Sequence, residues 1–207
     1  MTVFYSTSSE YHELEEYSLS SPEHFGKILD PARLVVRPDP STVVADTRIN
    51  FFCRADGNPL PNIVWRINGK PLTDSRYVII RHHAFHFLLF IVKSLPTGLS
   101  TLRIEPVLSS DNQTVVSCSA DNGVANPVVA DAVLTVLSKA ELPSGFPAVD
   151  AHPTLKSVEQ GRTAHVTCRV RGDPRPKVLW LRDLVPIDIR ADGRYSVSTM
   201  GNPGLSI

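Results

Sequence analysis

A thirteen-residue motif occurs twice in this chain and constrains its fold more than any other feature. Residues 53–65 read CRADGNPLPNIVW, and residues 168–180 read CRVRGDPRPKVLW. Both copies hold a cysteine and a tryptophan twelve positions apart around a glycine and two prolines, and they begin 115 residues apart. A further match follows, RYVI at 76–79 and RYSV at 194–197. Self-similarity at a fixed period indicates that one structural unit is repeated.

The residues around each motif alternate between apolar and polar, which predicts half-buried β-strands. The G-[N/D]-P-x-P segment predicts a turn, and the residues after it, 63–65 and 178–180, predict a strand that ends in tryptophan. The residues predicted to point inward are Ile49, Phe51, Cys53, Leu102, Ile104, Val107, Ala132, Leu134 and Val136 in the first copy, and Ala164, Val166 and Cys168 in the second.

A cysteine strand, a tryptophan strand and a second cysteine strand, here carrying Cys118, are the hallmarks of an immunoglobulin sandwich. We therefore predict an all-β chain of tandem immunoglobulin-like, I-set sandwiches, with Cys53 and Cys118 bridging the two sheets. Trp65 and Trp180 would be core tryptophans. The sequence ends before the F and G strands of the second copy, so Cys168 is expected to be unpaired.

Charge is unevenly spread, although the formal net charge is zero. Residues 1–30 hold six acids and one lysine. They lack the basic region and apolar core of a secretory signal, and no apolar stretch in the chain approaches the ~20 residues needed to span a bilayer. The predicted segments are an acidic, disordered leader (1–30), a first domain (31–138), a linker (139–148) and an incomplete second domain (149–207).

Two segments carry a family resemblance. ELPSGFPAVDA at 141–151 and LRIEPV at 102–107 are its most specific parts. Over roughly residues 31–207, the chain closely resembles the first two immunoglobulin domains of the leukocyte common antigen-related (type IIa) receptor protein-tyrosine phosphatases.

The resemblance implies a fragment of a type I membrane receptor, located at the extracellular face of the plasma membrane. In that family, immunoglobulin domains precede fibronectin type III repeats, one membrane span and two cytoplasmic phosphatase domains. The immunoglobulin domains bind heparan or chondroitin sulfate proteoglycans and synaptic or other cell-surface adhesion proteins, with roles in axon guidance and synapse formation.

This chain has no H-C-x-x-G-x-x-R loop to hold a phosphate. We therefore expect it to have no enzymatic activity of its own, and we expect no cofactor, metal, nucleic-acid partner or membrane span. The alternative is an immunoglobulin-superfamily adhesion protein, or an intracellular muscle-type immunoglobulin protein, with no link to a phosphatase.

Basic residues near the first motif suggest a site for polyanions. Arg66, Lys70 and Arg76 follow the tryptophan, and Arg103 lies on a later strand. Clustered cations attract sulfated chains mainly through Coulomb and counterion effects. The loop is poorer in lysine than is typical of the family, so we predict weak, salt-sensitive binding, with an ordinary solvated loop as the alternative. Asn112 begins an N-glycosylation sequon.

One stretch of the first copy has no counterpart in the second. Arg76 lies 22 positions before Gly98, whereas Arg194 lies only 10 before Gly204. The twelve extra residues are interpreted as an insertion near 81–94, outside the working sandwich, and a splice variant or translated intron remnant would explain it. Its histidines, His82, His83 and His86, lack a nearby carboxylate or thiol, so we predict no metal site.

Overall fold

The protein is described from a computed structural model. The described residues are 28–72, 76–80, 87–154, 157–198 and 204–206, with the backbone alone described at 76–80, 87–88 and 204–206. Residues 1–27 of the predicted leader therefore lie outside the described part. The first strand begins at Asp30, which is still within the predicted leader.

The first copy is a two-layer sandwich. Its first sheet has the strand order β1-β3-β8-β7-β6, and its second sheet has the order β2-β10-β9-β4-β5. Neighbours are antiparallel except β2 and β10, which are parallel. A 3-10 helix, Ser109–Asp111, precedes β9. The strands are β1 (Asp30–Val36), β2 (Ser41–Val44), β3 (Ile49–Asn58), β4 (Asn62–Ile67), β5 (Lys70–Pro71), β6 (Arg76–Ile80), β7 (Phe87–Ser94), β8 (Leu99–Glu105), β9 (Thr114–Asp121) and β10 (Val128–Leu137).

The core between the sheets confirms the predicted alternation in the first copy. Cys53 of the first sheet and Cys118 of the second form the predicted disulfide. Trp65 is 1% exposed, and its Nε1–H donates to Ser100 Oγ at 2.9 Å, so its one polar group is satisfied. The buried cluster consists of Phe51, Cys53, Trp65, Phe90, Leu102, Ile104, Val107, Val116, Cys118, Ala132, Leu134 and Val136.

Residues 87–94 correct the expectation that the whole 81–94 stretch lies outside the sandwich. They form β7, which pairs with β8 over six residue pairs, and Phe90 is buried in the core at 5% exposure. An apolar run can pair in this way because alternate residues enter the core while the others remain on the outer face. Residues 81–86 lie outside the described part.

The two RY motifs consequently occupy different places in their sheets. In the first copy RYVI lies in β6, one strand farther from β8 than β7 is. In the second copy RYSV leads into a strand that pairs directly with the strand carrying Gly204. The sequence match is therefore not a match of position in the sheet.

The strands of the second copy pair over fewer residues than those of the first. Its strands form three small sheets, β11-β13, β12-β17-β16 and β14-β15, and a 3-10 helix, Lys139–Glu141, lies in the predicted linker. The strands are β11 (Ala148–Ala151), β12 (His165–Thr167), β13 (Arg169–Arg171), β14 (Leu181–Arg182), β15 (Val185–Pro186), β16 (Ser196–Ser198) and β17 (Gly204–Ser206).

The predicted strand at 178–180 is not formed. Its counterpart in the first copy, β4, is held in place by β9. No counterpart of β9 occurs among the described residues of the second copy. The backbone N–H and C=O groups of residues 178–180 therefore have no neighbouring strand with which to form hydrogen bonds. Cys168 is buried and forms no disulfide in the described part of the chain.

Candidate functional site

The outer face of the first sheet brings two predicted cations into one row. Directly paired residues on antiparallel strands point to the same face. The register pairs Asn50 with Arg103, Arg103 with Ile91, and Ile91 with Arg76. Since Leu102 is fully buried beside Arg103, the row lies on the outer face. The register thus places Arg76 and Arg103 in one cross-strand row.

Three further cations that sequence reasoning missed lie on or beside the same surface. Arg54 stands between the buried residues Cys53 and Ala55 in β3, so it points outward. Lys93 pairs with Thr101 of β8, next to Arg103 in that strand. Arg48 is exposed and lies 3.8 Å from the carboxylate of Glu105. The period-two pattern that located the core would have found Arg54. We call this surface the basic face; its described cations are Arg48, Arg54, Lys93 and Arg103.

Arg103 has hydrogen-bonding capacity left over. Its guanidinium forms an ion pair with Glu105, and its side chain is 21% exposed. Its Nε–H is buried and has no partner among the described residues, and the same holds for Asn50 Oδ1 and Thr101 Oγ1. Buried polar groups are rarely left unpaired in native structures. A water molecule can donate to Asn50 Oδ1 and accept from the Arg103 Nε–H, and it can bond to the Thr101 hydroxyl in either sense.

An acidic residue on the same sheet is already neutralised. The side chain of Arg33 donates to the carboxylate of Asp56 at 2.7 Å, and the backbone N–H of Gly57 donates to it at 2.9 Å. These two hydrogen bonds, with that from Arg33 the stronger influence, hold the pKa of Asp56 below its usual value. Because Arg33 is paired with it, Asp56 subtracts little from the positive charge of the basic face.

Arg66 and Lys70 are not brought to this surface. Arg66 is adjacent in β4 to the buried Trp65 and so lies on the outer face of the second sheet. Lys70 lies in β5 at the edge of that sheet. The cluster predicted from the sequence is therefore divided between opposite sides of the sandwich.

The other predicted residues lie away from the basic face. Asn112 is exposed at the end of a 3-10 helix, and its Oδ1 accepts a hydrogen bond from the N–H of Val136 at 2.9 Å; its glycosylation stays a prediction. Trp180 is half-buried in the second copy. His82, His83 and His86 lie outside the described residues, and the described part contains no cluster of metal-binding side chains.

The basic face borders the space between the two copies. Lys93 lines a cavity of about 340 Å³ whose other residues include Arg182 and Tyr195 of the second copy. Arg48 lines a larger cleft of about 1480 Å³, which Arg171 lines from the second copy. Acidic residues line the same two cavities, Asp183, Asp188 and Asp192 in the first and Asp46, Glu105 and Asp173 in the second, so the positive charge of the basic face does not continue into them.

Two family models match the chain. The model "Immunoglobulin domain" matches residues 31–122, and "Immunoglobulin I-set domain" matches residues 147–207. No catalytic domain is detected in this chain. None of the described helices is long and apolar enough to cross a membrane.

Similarity to curated proteins and to solved structures identifies the family within the immunoglobulin-like proteins more closely. Tyrosine-protein phosphatase Lar-like of Caenorhabditis elegans is 67% identical over 175 residues, which are 84% of this chain and 7% of that protein. Tyrosine-protein phosphatase Lar of Drosophila melanogaster is 34% identical over 169 residues, 81% of this chain and 8% of that protein. The chain thus spans less than a tenth of the length of these relatives.

The crystal structure of the N-terminal Ig1-2 module of the Drosophila receptor protein tyrosine phosphatase DLAR superposes with a TM-score of 0.69 at 33% identity. The match covers 84% of this chain and 83% of the solved one. The sandwich, the disulfide and these similarities together show that the chain belongs to the Lar-type receptor tyrosine phosphatase family and corresponds to its tandem immunoglobulin-like region.

Proposed function

We propose that this chain is an extracellular ligand-recognition and adhesion module, and that its basic face binds the sulfated glycosaminoglycan chains of proteoglycans. Its similarity to the immunoglobulin region of receptor phosphatases supports the general role. The observation that carries the specific role is the gathering of four described cations, Arg48, Arg54, Lys93 and Arg103, on and beside one sheet face.

Charge and geometry both favour a linear polyanion. Arg103 lies in the middle strand of the first sheet, and Arg54 and Lys93 on the two neighbouring strands extend the charge across the sheet. Such an array attracts a sulfated chain through Coulomb forces and the release of counterions. Glu105 forms ion pairs with both Arg103 and Arg48, which weakens the field. We therefore expect weak binding that falls steeply with salt.

Heparin-affinity chromatography of charge-reversal variants tests this proposal. Arg54→Glu combined with Lys93→Glu should lower the salt concentration needed for elution, because both changes act on the basic face. Arg37→Glu provides a control in the connection after β1, where Arg37 is exposed and lies outside both sheets. Heparan sulfate, chondroitin sulfate and dextran sulfate used as competitors would rank the chemistry of the ligand.

A second pair of variants separates the structural proposal from the sequence prediction. Arg66→Glu and Lys70→Glu act on the opposite side of the sandwich and should leave elution nearly unchanged. If they weakened retention while the Arg54 and Lys93 variants did not, binding would belong to the loop after Trp65. The proposed roles in axon guidance and synapse formation rest on binding of this kind.

A further inference from the structure

The most acidic part of the sequence is joined directly to the sheet that carries the basic face. Residues 10–16 read EYHELEE and contain four glutamates; we call them the acidic stretch. The chain enters the first sheet at its edge strand, β1, whose first residue, Asp30, pairs with Asn58 at the end of β3. The side chain of Asn58 also donates to the backbone oxygen of Ile28 at 2.6 Å. The acidic stretch is therefore tethered to one end of the first sheet.

The tether is long enough for the acidic stretch to reach the basic face. Arg54 lies four positions before the end of β3, and Arg48 lies six positions before Arg54. These separations are about 14 and 20 Å along the strand. Glu16 lies fourteen positions before Asp30, and a chain of that length can span up to about 48 Å. Glu10 and Glu16 are six positions apart, so an extended acidic stretch covers about 20 Å, the same span as Arg54 to Arg48.

The charges at the entry end of the sheet do not favour an acidic segment. Arg33 lies 3.0 Å from the carboxylate of Asp30 and 2.7 Å from that of Asp56. One cation and two anions leave this group with a net charge of −1. An acidic segment is therefore expected to pass this end of the sheet and bind farther along it.

The basic face itself carries a net positive charge. Its four cations share one carboxylate within the first sheet, that of Glu105, which pairs with Arg103 and Arg48. Lys93 and Arg48 also line the two cavities that contain further acids. The attraction for an acidic segment is therefore strongest at Arg54, which has no ion-pair partner among the described residues, and at Arg103 beside it.

The basic face also has an apolar component. Phe52 and Ile91 each follow a buried residue in their strands, so both point outward, and both are half-buried. The acidic stretch carries Tyr11 and Leu14 between its glutamates. A sulfated polysaccharide offers charge but no such apolar side chains, whereas a peptide segment of this composition can bind through both.

We propose that the acidic stretch binds the basic face of its own chain and competes there with the sulfated ligand. The inference rests on the proposed function, because it names what regulates the same surface. A short tether holds a segment at an effective concentration in the millimolar range, so a contact with a dissociation constant of about 1 mM is formed about half of the time. The ligand must displace the segment, which lowers its apparent affinity by the fraction of free face.

Isothermal titration of the full chain with a heparin oligosaccharide of defined length tests the competition. Glu13→Gln combined with Glu15→Gln should make binding about two- to fivefold tighter at fixed salt, because the face is freed. The matched control is Asp121→Asn combined with Asp131→Asn, which removes the same charge at exposed positions of the second sheet. The control should bind as the unmodified chain does. An equal gain in both double variants would indicate general repulsion of the ligand and would overturn the proposal.

Nuclear magnetic resonance without heparin tests the contact itself. Between the unmodified chain and the Glu13/Glu15 variant, the amide signals of Arg54, Thr101 and Arg103 should differ, and that of Ser117 on the second sheet should not. Unchanged signals on the first sheet would overturn the proposal even if heparin binds. Differences on that sheet in a chain that does not bind heparin would support the contact and refute the proposed function instead. Differences that grow with protein concentration would show binding to another copy and would also overturn the proposal.

Discussion

The two copies share a thirteen-residue motif, yet they differ in how much of it is buried. Trp65 is 1% exposed and donates a hydrogen bond to Ser100. Trp180 is only half-buried, and its Nε1–H, although buried itself, has no partner among the described residues. Cys53 is bridged to Cys118, whereas Cys168 is unpaired.

The difference shows that the motif marks a sandwich but does not complete one. In the first copy β9 holds β4 through six residue pairs, and β10 covers the other side of β9. The second copy has no such strands in the described part. Large apolar side chains there remain open to solvent, with Leu179 59% exposed and Ile189 47% exposed. Most of the stabilisation therefore lies in the first copy, and substitutions at matched positions should reveal the asymmetry.

The largest effect is expected at the strand that pairs with β8 in the first copy, compared with the strand that pairs with β17 in the second. Phe90→Ala in β7 should lower the free energy of unfolding of the first copy by about 3–5 kcal/mol, because it empties a core site. Val197→Ala in β16 should cost about 1 kcal/mol or less, because Val197 is only half-buried. Urea denaturation followed by hydrogen exchange would assign each loss to its copy. If Phe90→Ala left the free energy of unfolding unchanged, residues 87–94 would be an insertion that the sandwich does not need.

Removal of cysteines is expected to have the next largest effect. Replacing Cys53 and Cys118 together by alanine opens a loop of 65 residues and should cost the first copy about 2–5 kcal/mol. Cys168→Ala should change little, since no bond is lost. Thermal unfolding with and without a reducing agent measures both. Equal sensitivity of the two sites would contradict the asymmetry.

A smaller effect is expected at the serine beside each tryptophan. Ser100→Ala leaves the buried Trp65 Nε1–H unpaired and should cost about 1–3 kcal/mol. Ser206 holds the matching position in GLS, and Trp180 has no hydrogen-bond partner among the described residues, so we expect Ser206→Ala to be close to neutral. A destabilising Ser206→Ala would show that the second tryptophan is satisfied in solution.

The smallest effects concern two exposed carboxylates with depressed pKa values. Asp56 is held by Arg33, 23 positions away along the chain, whereas Asp192 is held by Arg194, two positions away. A depressed folded pKa contributes stability above the unfolded value of about 3.9 and loses it as the pH falls through the folded value. The Asp56–Arg33 contact joins residues far apart in sequence, so it forms only in the folded chain. The Asp192–Arg194 contact joins near neighbours, so it can form in the unfolded chain as well.

Nuclear magnetic resonance titration and acid unfolding would distinguish these contacts. Arg33→Gln should raise the pKa of Asp56 and flatten the loss of stability below about pH 4. Arg194→Gln should raise the pKa of Asp192 and leave the acid unfolding curve nearly unchanged. The comparison would fail if both variants changed that curve by the same amount.

The strands of the first copy were predictable because their signal is local. Alternation alone places Phe51, Leu102 and Ala132 inward, and the cysteine and tryptophan spacing identifies the sandwich. The position of β7 was not predictable. The match between RYVI and RYSV aligns β6 with the strand of the second copy that pairs with the GLS strand, whereas in the first copy β7 holds that place. Pairing with β8 depends on contacts across the sheet that a short sequence match does not contain.

The candidate site was predicted only in part, for a related reason. Arg66 and Arg103 both lie outward beside buried neighbours, but on opposite sheets, and alternation along one strand does not say which sheet the strand joins. Arg54 was within reach of the same pattern because it alternates with Cys53.

The parallel pairing of β2 with β10 has a mechanical consequence. The chain passes from β1 directly into β2 and leaves the first copy at the end of β10, and β2 and β10 are joined side by side from Ser41–Leu134 to Val44–Leu137. Tension that reaches the start of β2 and the end of β10 pulls these two strands past each other along their length, so their hydrogen bonds share the load instead of opening one by one. A domain built in this way would keep its sandwich intact under traction until the whole ladder yields at once.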